Sequence, residues 1–357
     1  MEFKVEKNAG AERLKVAHNR GPFGCKELEA DFEQAPLSSE GFDKTFGRFG
    51  IWSVNGDDDF FFGGLVHSRI DRYRMTIDAP AKVNLVLRVQ GKRADGFHAV
   101  ETLMSPVTLS DILEIRLCGL SGLDFSCSDA SLPLDGTNLV CRAVDSFRNR
   151  TGFSGGVCVH LKKRIPHGAG LGGGSSDAAA VLLGLNRLAG AGLTLEELEE
   201  VAAGLGSDVP FFVRGVPAWC RGRGEIVEPL KEKLPNLELL LVKPPFPVPT
   251  VWAYNAWAAR SESAVPATSS GSLCSIELKN DLEGPVFSKY LILPVLKHWL
   301  IEQAGVQAAM MSGSGSTMIA FLENDVQGLE ARVHAEFGGS FNLFRCRLAS
   351  RSLEADC

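Results

Sequence analysis

With 357 residues, 45% of them hydrophobic and 22% charged, the chain has the make-up of a globular protein. Its length allows two cores with a cleft between them, which argues against wholesale disorder, collagen-like repeats and a membrane-span architecture. A formal charge of -6 from 37 basic and 43 acidic side chains gives no electrostatic reason to expect nucleic acid or an anionic membrane as partner. A phosphorylated small molecule needs only a local basic site. Nine cysteines without a C-x-x-C pair or a His at zinc spacing argue for reduced thiols and against structural zinc.

The first 72 residues stand apart. They are rich in Gly, Phe and acids, with a run at Asp57, Asp58 and Asp59 and no sustained periodicity, and read as a poorly structured N-terminal extension of unknown role. A lineage-specific tail, a translated stretch ahead of a start at Met75 and a small appended module all fit. The segment lacks the Arg- and Ser-rich, acid-poor composition of a transit peptide and the apolar core of a secretory signal, which favours a bacterial-type cytoplasmic protein over a plastid one.

From Met75 the pattern changes. Residues 81–89 alternate with period two, which predicts a strand with Val83, Leu85, Leu87 and Val89 on one face and Lys82 and Asn84 on the other. A second strand is predicted over 156–161. A helix follows over 176–188, packing through Ala178, Ala179, Leu182, Leu183 and Leu185, and another runs from a Thr194/Glu197 capping box to near Gly204. Beyond residue 230 the sequence predicts a strand over 237–242, a proline-rich turn over 243–250 and a polar loop over 261–275. A helix over 291–303 and strands over 308–311 and 317–322, joined by Ser312-Gly313-Ser314-Gly315-Ser316, complete the pattern. Strands and helices without strict alternation favour an α+β fold over a doubly wound sheet.

The most informative stretch is Pro166-His167-Gly168-Ala169-Gly170-Leu171-Gly172-Gly173-Gly174-Ser175-Ser176-Asp177. Its glycines let backbone N–H groups approach a ligand closely, and the helix behind them presents unpaired donors and a positive dipole end, the requirements of a phosphate site. Ser175 and Ser176 either cap that helix or add hydroxyls to phosphate or magnesium. Gly168-x-Gly170-x-x-Gly173 also fits the dinucleotide fingerprint of an NAD-dependent dehydrogenase. However, Pro166-His167 interrupts the approach to the first glycine, and Glu196 and Glu197, at the required distance of about 20 residues, start a helix rather than end a strand. No Gly-Lys-Ser/Thr follows, so the Walker pattern is missing too. The local chemistry reads as a nucleoside triphosphate or other polyphosphate held by a less common loop.

Three motifs in order, Pro80-Ala81-Lys82-Val83-Asn84-Leu85, Pro166 to Ala180 and Met311 to Thr317, resemble those of the GHMP kinase superfamily. The resemblance covers nearly everything from Met75 to about Leu322. It implies a ribosomal protein S5 domain 2-like, ATP-binding N-terminal domain over 73–235 and a ferredoxin-like C-terminal domain over 236–357, with substrates meeting between them. Within the superfamily, Arg93-Ala94-Asp95-Gly96-Phe97-His98, Gly206-Ser207-Asp208-Val209-Pro210 and Gly222-Arg223-Gly224-Glu225 resemble one branch in particular. Its members phosphorylate the 2-hydroxyl of 4-diphosphocytidyl-2-C-methyl-D-erythritol with ATP, in the non-mevalonate route to isoprenoid precursors.

By that resemblance Asp208 accepts or orients the proton of the attacking hydroxyl, and Lys82 balances its charge and that of the phosphate. Pro166, Gly168, Gly170, Leu171, Gly172, Gly173, Gly174, Ser175 and Ser176 hold the triphosphate, and Asn138 lies near the adenine. Asn84 contacts the erythritol side, and Phe97 and Tyr254 sandwich the cytosine, whose edge His98 reads. Gly313 and Ser314 close the cleft. Phe97 departs from the family's usual Tyr, keeping the aromatic face and losing the hydroxyl. Magnesium is expected with ATP because it neutralises phosphate oxygens; no carboxylate besides Asp208 stands out as its ligand. Each residue also has an ordinary role: Asp208 as a helix N-cap before Pro210, Lys82 as an outward strand lysine, Asn138 as a turn former, Gly313–Ser316 as a hairpin turn. Homoserine and mevalonate kinases share the loop logic, and the Asp95-Gly96-Phe97-His98 segment argues for a cytidyl acceptor against them. A catalytically silent nucleotide-binding protein is disfavoured by intact Lys82 and Asp208.

Overall fold

The period-two run around Lys82 lies within a strand, Arg74–Lys92, that pairs antiparallel with an equally long one, His98–Cys118, in the computed structural model. The structure describes residues 5–8, 11–14, 59–62, 66–71, 73–119, 121–260, 271–273, 276–323 and 326–348. Residues 1–53 form a separate unit, whose described part is the hairpin of Val5–Asn8 and Ala11–Leu14. Most of the N-terminal extension lies outside the described residues; in its last part, strands Asp59–Phe62 and Val66–Asp71 lie antiparallel beside Arg74–Lys92.

In the second unit, residues 54–357, the large sheet runs Ile226–Pro229, Ala218–Arg221, His98–Cys118, Arg74–Lys92, Val66–Asp71 and Asp59–Phe62. Strand Gly156–Lys162 pairs antiparallel with His98–Cys118 and parallel with Leu123–Cys127. One face is covered by helices Leu139–Thr151, Gly173–Leu188, Leu195–Leu205 and Val209–Arg214. The core between them contains Ile77, Leu113, Ile115, Phe147, Val181, Leu182, Leu185 and Phe211. Gly184 permits the close seat of helix Gly173–Leu188: a Cβ there would meet Ile115 Cδ1 at 2.6 Å and Ile77 Cδ1 at 2.8 Å. The Thr194 capping box is formed in full, with Glu197 N–H donating to Thr194 Oγ1 at 3.2 Å and Thr194 N–H to Glu197 Oε2 at 3.0 Å.

A second sheet, entirely antiparallel, has the order Val306–Met311, Met318–Leu322, Glu238–Lys243, Asn342–Arg347. Its two central strands, Glu238–Lys243 and Met318–Leu322, read as apolar runs because both faces are buried, whereas the edge strand Asn342–Arg347 keeps exposed polar residues. Leu239, Leu241, Met310, Ile319 and Phe321 share a core with Val83, Leu85 and Leu103 of the large sheet. Leu240, Val242, Met311, Met318 and Ala320 face helices Glu283–Lys289, Ile292–Ile301 and Leu329–Phe337 through Val286, Leu296, Leu300 and Val333. The two sheets and their helices make the α+β architecture that the element pattern predicts.

Two details differ from the sequence reading. The first strand carries irregularities between Pro80 and Lys82, Asn84 and Val86, and Val89 and Gly91. As a result Val83 and Leu85 enter the core between the sheets while Leu87 and Val89 enter the one beneath the C-terminal helices. A β-bulge re-aims every side chain beyond it, which simple alternation does not register. The helix predicted over 176–188 begins at Gly173 rather than Ser176, because Gly172, at φ +70°, makes the turn that the serines were expected to cap. Of the polar loop over 261–275, residues 261–270 and 274–275 lie outside the described residues; Ser272–Leu273 forms a small hairpin with Ile276–Glu277. Among the described residues no helix is long and apolar enough to cross a membrane.

Candidate active site

The three motifs meet at one point. The backbone N–H of Lys82 donates to the Leu171 carbonyl at 2.9 Å, tying the first strand to the glycine loop. Ser312 Oγ donates to the Gly170 carbonyl at 3.1 Å, tying the loop to the third motif. Gly170, at φ +75°, admits no side chain: a Cβ would collide with the Ser312 carbonyl oxygen. A Cβ on Gly313 would sit 3.2 Å from Asn84 Oδ1 and 3.3 Å from Lys82 Nζ. The glycines let three backbones converge where side chains would hold them apart.

This junction opens into a cavity of about 830 Å³. Its walls include Lys82, Asn84, Phe97, His98, Asn138, Pro166, Gly168, Gly170, Leu171, Gly172, Gly173, Gly174, Ser175, Asp208, Tyr254, Gly313 and Ser314. Of the residues that the sequence nominates, Ser176 alone is off the wall. It lies buried beneath the loop, its hydroxyl without a partner. Asn138 caps helix Leu139–Thr151, its Oδ1 accepting from Val140 N–H at 3.0 Å and its Nδ2 donating to the Pro133 carbonyl at 2.8 Å. The first turn of helix Gly173–Leu188 faces the cavity through Gly173, Gly174 and Ser175. Unpaired N–H groups and the dipole end of a long helix there suit an anion.

Lys82 Nζ lies 3.6 Å from Asp208 Oδ2, with side-chain exposures of 6% and 33%. The lysine is held from the other side by Asn84, whose Oδ1 accepts from it at 2.5 Å. Asn84 in turn donates to Thr102 Oγ1 at 2.8 Å, and Thr102 to the Val86 carbonyl at 2.7 Å. Asp208 occupies the N-cap position of helix Val209–Arg214, with Pro210 in the first turn, yet its side chain makes no capping bond. Its carboxylate therefore faces the cavity. Lys82 is no outward strand lysine: it is buried, with the glycine loop and the third motif against its side chain, since a Cβ on Gly172 would stand 3.1 Å from Lys82 Cγ and one on Gly313 3.3 Å from its Nζ.

At the far end Phe97 is 49% exposed and His98 7%. Tyr254 stacks on His98 at 5.5 Å and 25°, and Trp257 meets the imidazole edge-on at 6.1 Å. Burial and the nearby Lys92 charge hold His98 below the ordinary imidazole value, which keeps the ring neutral near pH 7. Its Nε2 is buried without a partner. The Arg223 guanidinium lies 5.1 Å over the Phe97 ring.

Two buried clusters escape sequence reasoning. Under the glycine loop, Lys163 Nζ donates to Asp111 Oδ2 at 2.5 Å and Asp177 Oδ2 at 2.8 Å, while Asp111 Oδ1 accepts from the N–H groups of Arg164 at 2.5 Å and Ile165 at 2.8 Å. Lys163 and Asp177 both line the cavity. Their position flanking the glycine run was a usable signal, but Asp111 is 52 residues upstream of Lys163. Behind the third motif, Asn280 Nδ2 donates to the Met311 and Gly313 carbonyls at 2.7 and 2.8 Å. Glu283 accepts from Met311 N–H at 2.8 Å and from Lys297 at 2.6 Å. No local pattern marks Asn280, since the pairing of Lys279–Asn280 with the first strand at Val86 and Leu87 is what brings it there.

The dinucleotide alternative finds no ribose carboxylate: Glu197 is spent in the capping box and Glu196 pairs with Arg214 at 3.0 Å. Residues 138–216 match the family described as GHMP kinases N terminal domain, and residues 264–339 match GHMP kinases C terminal. The chain is thus a GHMP-type kinase, a class that performs ATP-dependent phosphoryl transfer. A homoserine kinase from Cytophaga hutchinsonii shares the fold, with a TM-score of 0.55 at 18% identity, covering 78% of this chain and 96% of that one.

Closer likenesses narrow the class. The 4-diphosphocytidyl-2-C-methyl-D-erythritol kinase of Methylacidiphilum infernorum (isolate V4) is 45% identical over 250 residues, 69% of this chain and 86% of its own. That of Geobacter sp. (strain M21) is 38% identical over 257 residues, 71% of this chain and 91% of its own. A crystal structure of 4-(cytidine 5'-diphospho)-2C-methyl-D-erythritol kinase aligns with a TM-score of 0.65 at 36% identity, covering 78% of this chain and all of that one. The chain belongs to the 4-diphosphocytidyl-2-C-methyl-D-erythritol kinase family.

Proposed function

We propose that this enzyme moves the γ-phosphate of ATP to the 2-hydroxyl of 4-diphosphocytidyl-2-C-methyl-D-erythritol, a step of the non-mevalonate route to isoprenoid precursors. The observation that carries the reading is the Lys82–Asp208 pair, 3.6 Å apart where the three motifs converge. Phosphoryl transfer asks the protein to align an alcohol with the γ-phosphate and to stabilise spreading negative charge. Asp208 receives or orients the hydroxyl proton. Lys82 draws charge from the acceptor oxygen and the phosphate, its head held in place by Asn84. The glycine loop and the first turn of helix Gly173–Leu188 hold the polyphosphate through backbone N–H groups, with Ser175 as a hydroxyl donor. Asn84 reaches the erythritol side, and Gly313 and Ser314 close the cleft.

The acceptor assignment draws support from the far end of the cavity. A neutral His98 with an unpartnered buried Nε2 suits the edge of a base, and the rings of Phe97 and Tyr254 supply flat faces for stacking. Adenine is assigned to the neighbourhood of Asn138, where backbone and cavity wall serve in place of the engaged side-chain amide. Magnesium would be held by phosphates and water together with Ser175 and Asp208, two of the oxygen-bearing side chains that line the cavity and that suit a hard cation. When bound it neutralises β- and γ-oxygens. Among the described residues no group of three or more His, Cys, Asp or Glu side chains is placed to hold the ion by itself. The relatives named are bacterial, and the proposed site of action is the cytoplasm.

The test is a coupled ADP-release assay against a panel of alcohols. ATP consumption is expected only with the cytidyl-methylerythritol; equal turnover of mevalonate or homoserine would refute the choice of acceptor. Asp208→Asn should lower kcat on the order of 10²–10⁴-fold with the fold intact, and an undiminished rate would remove Asp208 from the chemistry.

A further inference from the structure

An acceptor with a nucleoside at one end and an alcohol at the other carries a diphosphate between them, and on the reading above that diphosphate lies between Phe97 and Asp208. One turn of the chain spans this interval. The Gly222 carbonyl accepts from Val100 N–H at 2.8 Å, beside His98 on the long strand, and Gly224 N–H donates to the Arg221 carbonyl at 3.0 Å. Arg223 N–H donates to Glu225 Oε2 at 2.6 Å. The turn is therefore fixed at both ends. A Cβ on Gly224 would stand 3.8 Å from Asp208 Oδ1, at the reacting end of the cavity. The guanidinium of the preceding residue lies 5.1 Å over the Phe97 ring, at the base end. One of its nitrogens, Nη2, is anchored on the Ala203 carbonyl at 2.6 Å, which orients the planar group without using its other N–H donors.

Charge bookkeeping singles out the same residue. Among the described residues, Lys82, Lys163 and Arg223 are the Lys and Arg side chains that line the cavity. Lys82 faces Asp208, and Lys163 is enclosed between Asp111 and Asp177. Asp95, on the Phe97 turn, is engaged by Arg93 at 3.0 Å and by Phe97 N–H at 3.1 Å. Among the described residues Arg223 alone of the three has no carboxylate within salt-bridge distance, its charge reaching Asp95 only from farther off. A guanidinium offers several donors in a fork that matches phosphate oxygens, and a half-buried one is screened less than a surface charge.

We propose that Arg223 is a specificity-determining residue whose guanidinium pairs with the diphosphate of the acceptor, so that the pocket selects a nucleoside diphosphate derivative over a bare nucleoside. The proposal rests on the cytidyl reading of the acceptor, and its test separates the two. With the glycine loop saturated by a non-hydrolysable ATP analogue, cytidine and CDP are titrated calorimetrically into the wild type, Arg223→Gln and Arg223→Lys. The wild type should bind CDP about tenfold or more tightly than cytidine. Arg223→Gln should shrink that gap to within about twofold while leaving the cytidine Kd in place, and Arg223→Lys should keep part of it. In turnover, Arg223→Gln should raise KM for the acceptor without moving KM for ATP. A gap that survives in Arg223→Gln overturns the proposal. So does an equal loss for cytidine and CDP, which would mean that the arginine acts only by steadying Phe97. If the wild type binds neither probe, the cytidyl reading itself falls and takes this role with it.

Discussion

Asp177 is 2% exposed, donates no stability by capping, and shares Lys163 with Asp111 directly beneath the phosphate loop. Burial is the largest influence on it. Together with the Asp111 charge, burial outweighs Lys163 and pushes the Asp177 carboxyl up to about 7. A carboxyl raised in the folded state binds its proton more tightly there than in the unfolded chain. Its contribution to stability is therefore full below the unfolded value near 3.8 and declines as pH rises toward 7. This is opposite in sign to a salt-bridged surface aspartate. Asp177→Asn, which keeps the shape of the protonated form, should remove that slope, so that the variant gains on the wild type by a few kcal/mol (~1–4) between pH 5 and 8. Urea unfolding at stepped pH reads this directly; an unchanged slope in the variant would place the titration elsewhere. Removing Lys163 instead leaves two buried carboxylates facing each other, a change of the kind that costs about 3–5 kcal/mol.

At the scale of elements, the third motif shows what was legible and what was not. The two strands and the Ser-Gly turn between them are visible in the sequence, because apolar runs of strand length flank turn residues, and the strands form at Val306–Met311 and Met318–Leu322. The turn's position against Lys82 was not visible. It depends on Asn280, from a two-residue strand parallel to the first, which binds the Met311 and Gly313 carbonyls from behind. Asn280→Ala should leave two buried carbonyls unpaired, costing about 1–3 kcal/mol in thermal or chemical unfolding. Its kcat should fall as the turn loosens beside Lys82; a variant of native stability and full activity would show that the turn holds itself. The first strand teaches the same lesson in reverse. Its alternation correctly puts Lys82 and Asn84 together, and they hydrogen-bond at 2.5 Å. Past Asn84 the irregular pairing redirects Leu87 and Val89 into a different core from Val83 and Leu85.

At the scale of the whole molecule, among the described residues the cavity walls run from Lys82 to Gly315 and the three buried cores are built from residues at or after Met75. A chain begun at Met75 should therefore retain full activity toward the acceptor. The sheet edge that pairs with Val66–Asp71 would be uncovered, so its solubility is expected to suffer before its kcat does. Steady-state kinetics alongside sedimentation checks both, and a large loss of kcat in a monodisperse sample would make the leader an integral part of the enzyme.

By itself the sequence determined the composition of the parts: a strand bearing Lys82 and Asn84, a glycine loop feeding a helix, an aromatic and imidazole pair at Phe97 and His98, and a carboxylate at Asp208. Local rules suffice for the strand, the loop and the helix, since periodicity, capping and glycine's backbone freedom act over a few residues; Phe97, His98 and Asp208 stood out through the motifs that resemble the kinase family, local rules alone reading Asp208 as a helix cap. Only the tertiary structure decided that Asp208 faces Lys82 instead of capping its helix, that Lys163 is shared by Asp111 and Asp177, and that Arg223 lies over Phe97. Those are contacts between side chains far apart in the chain, and their partners are selected by how the two sheets and their helices pack, which no local pattern encodes.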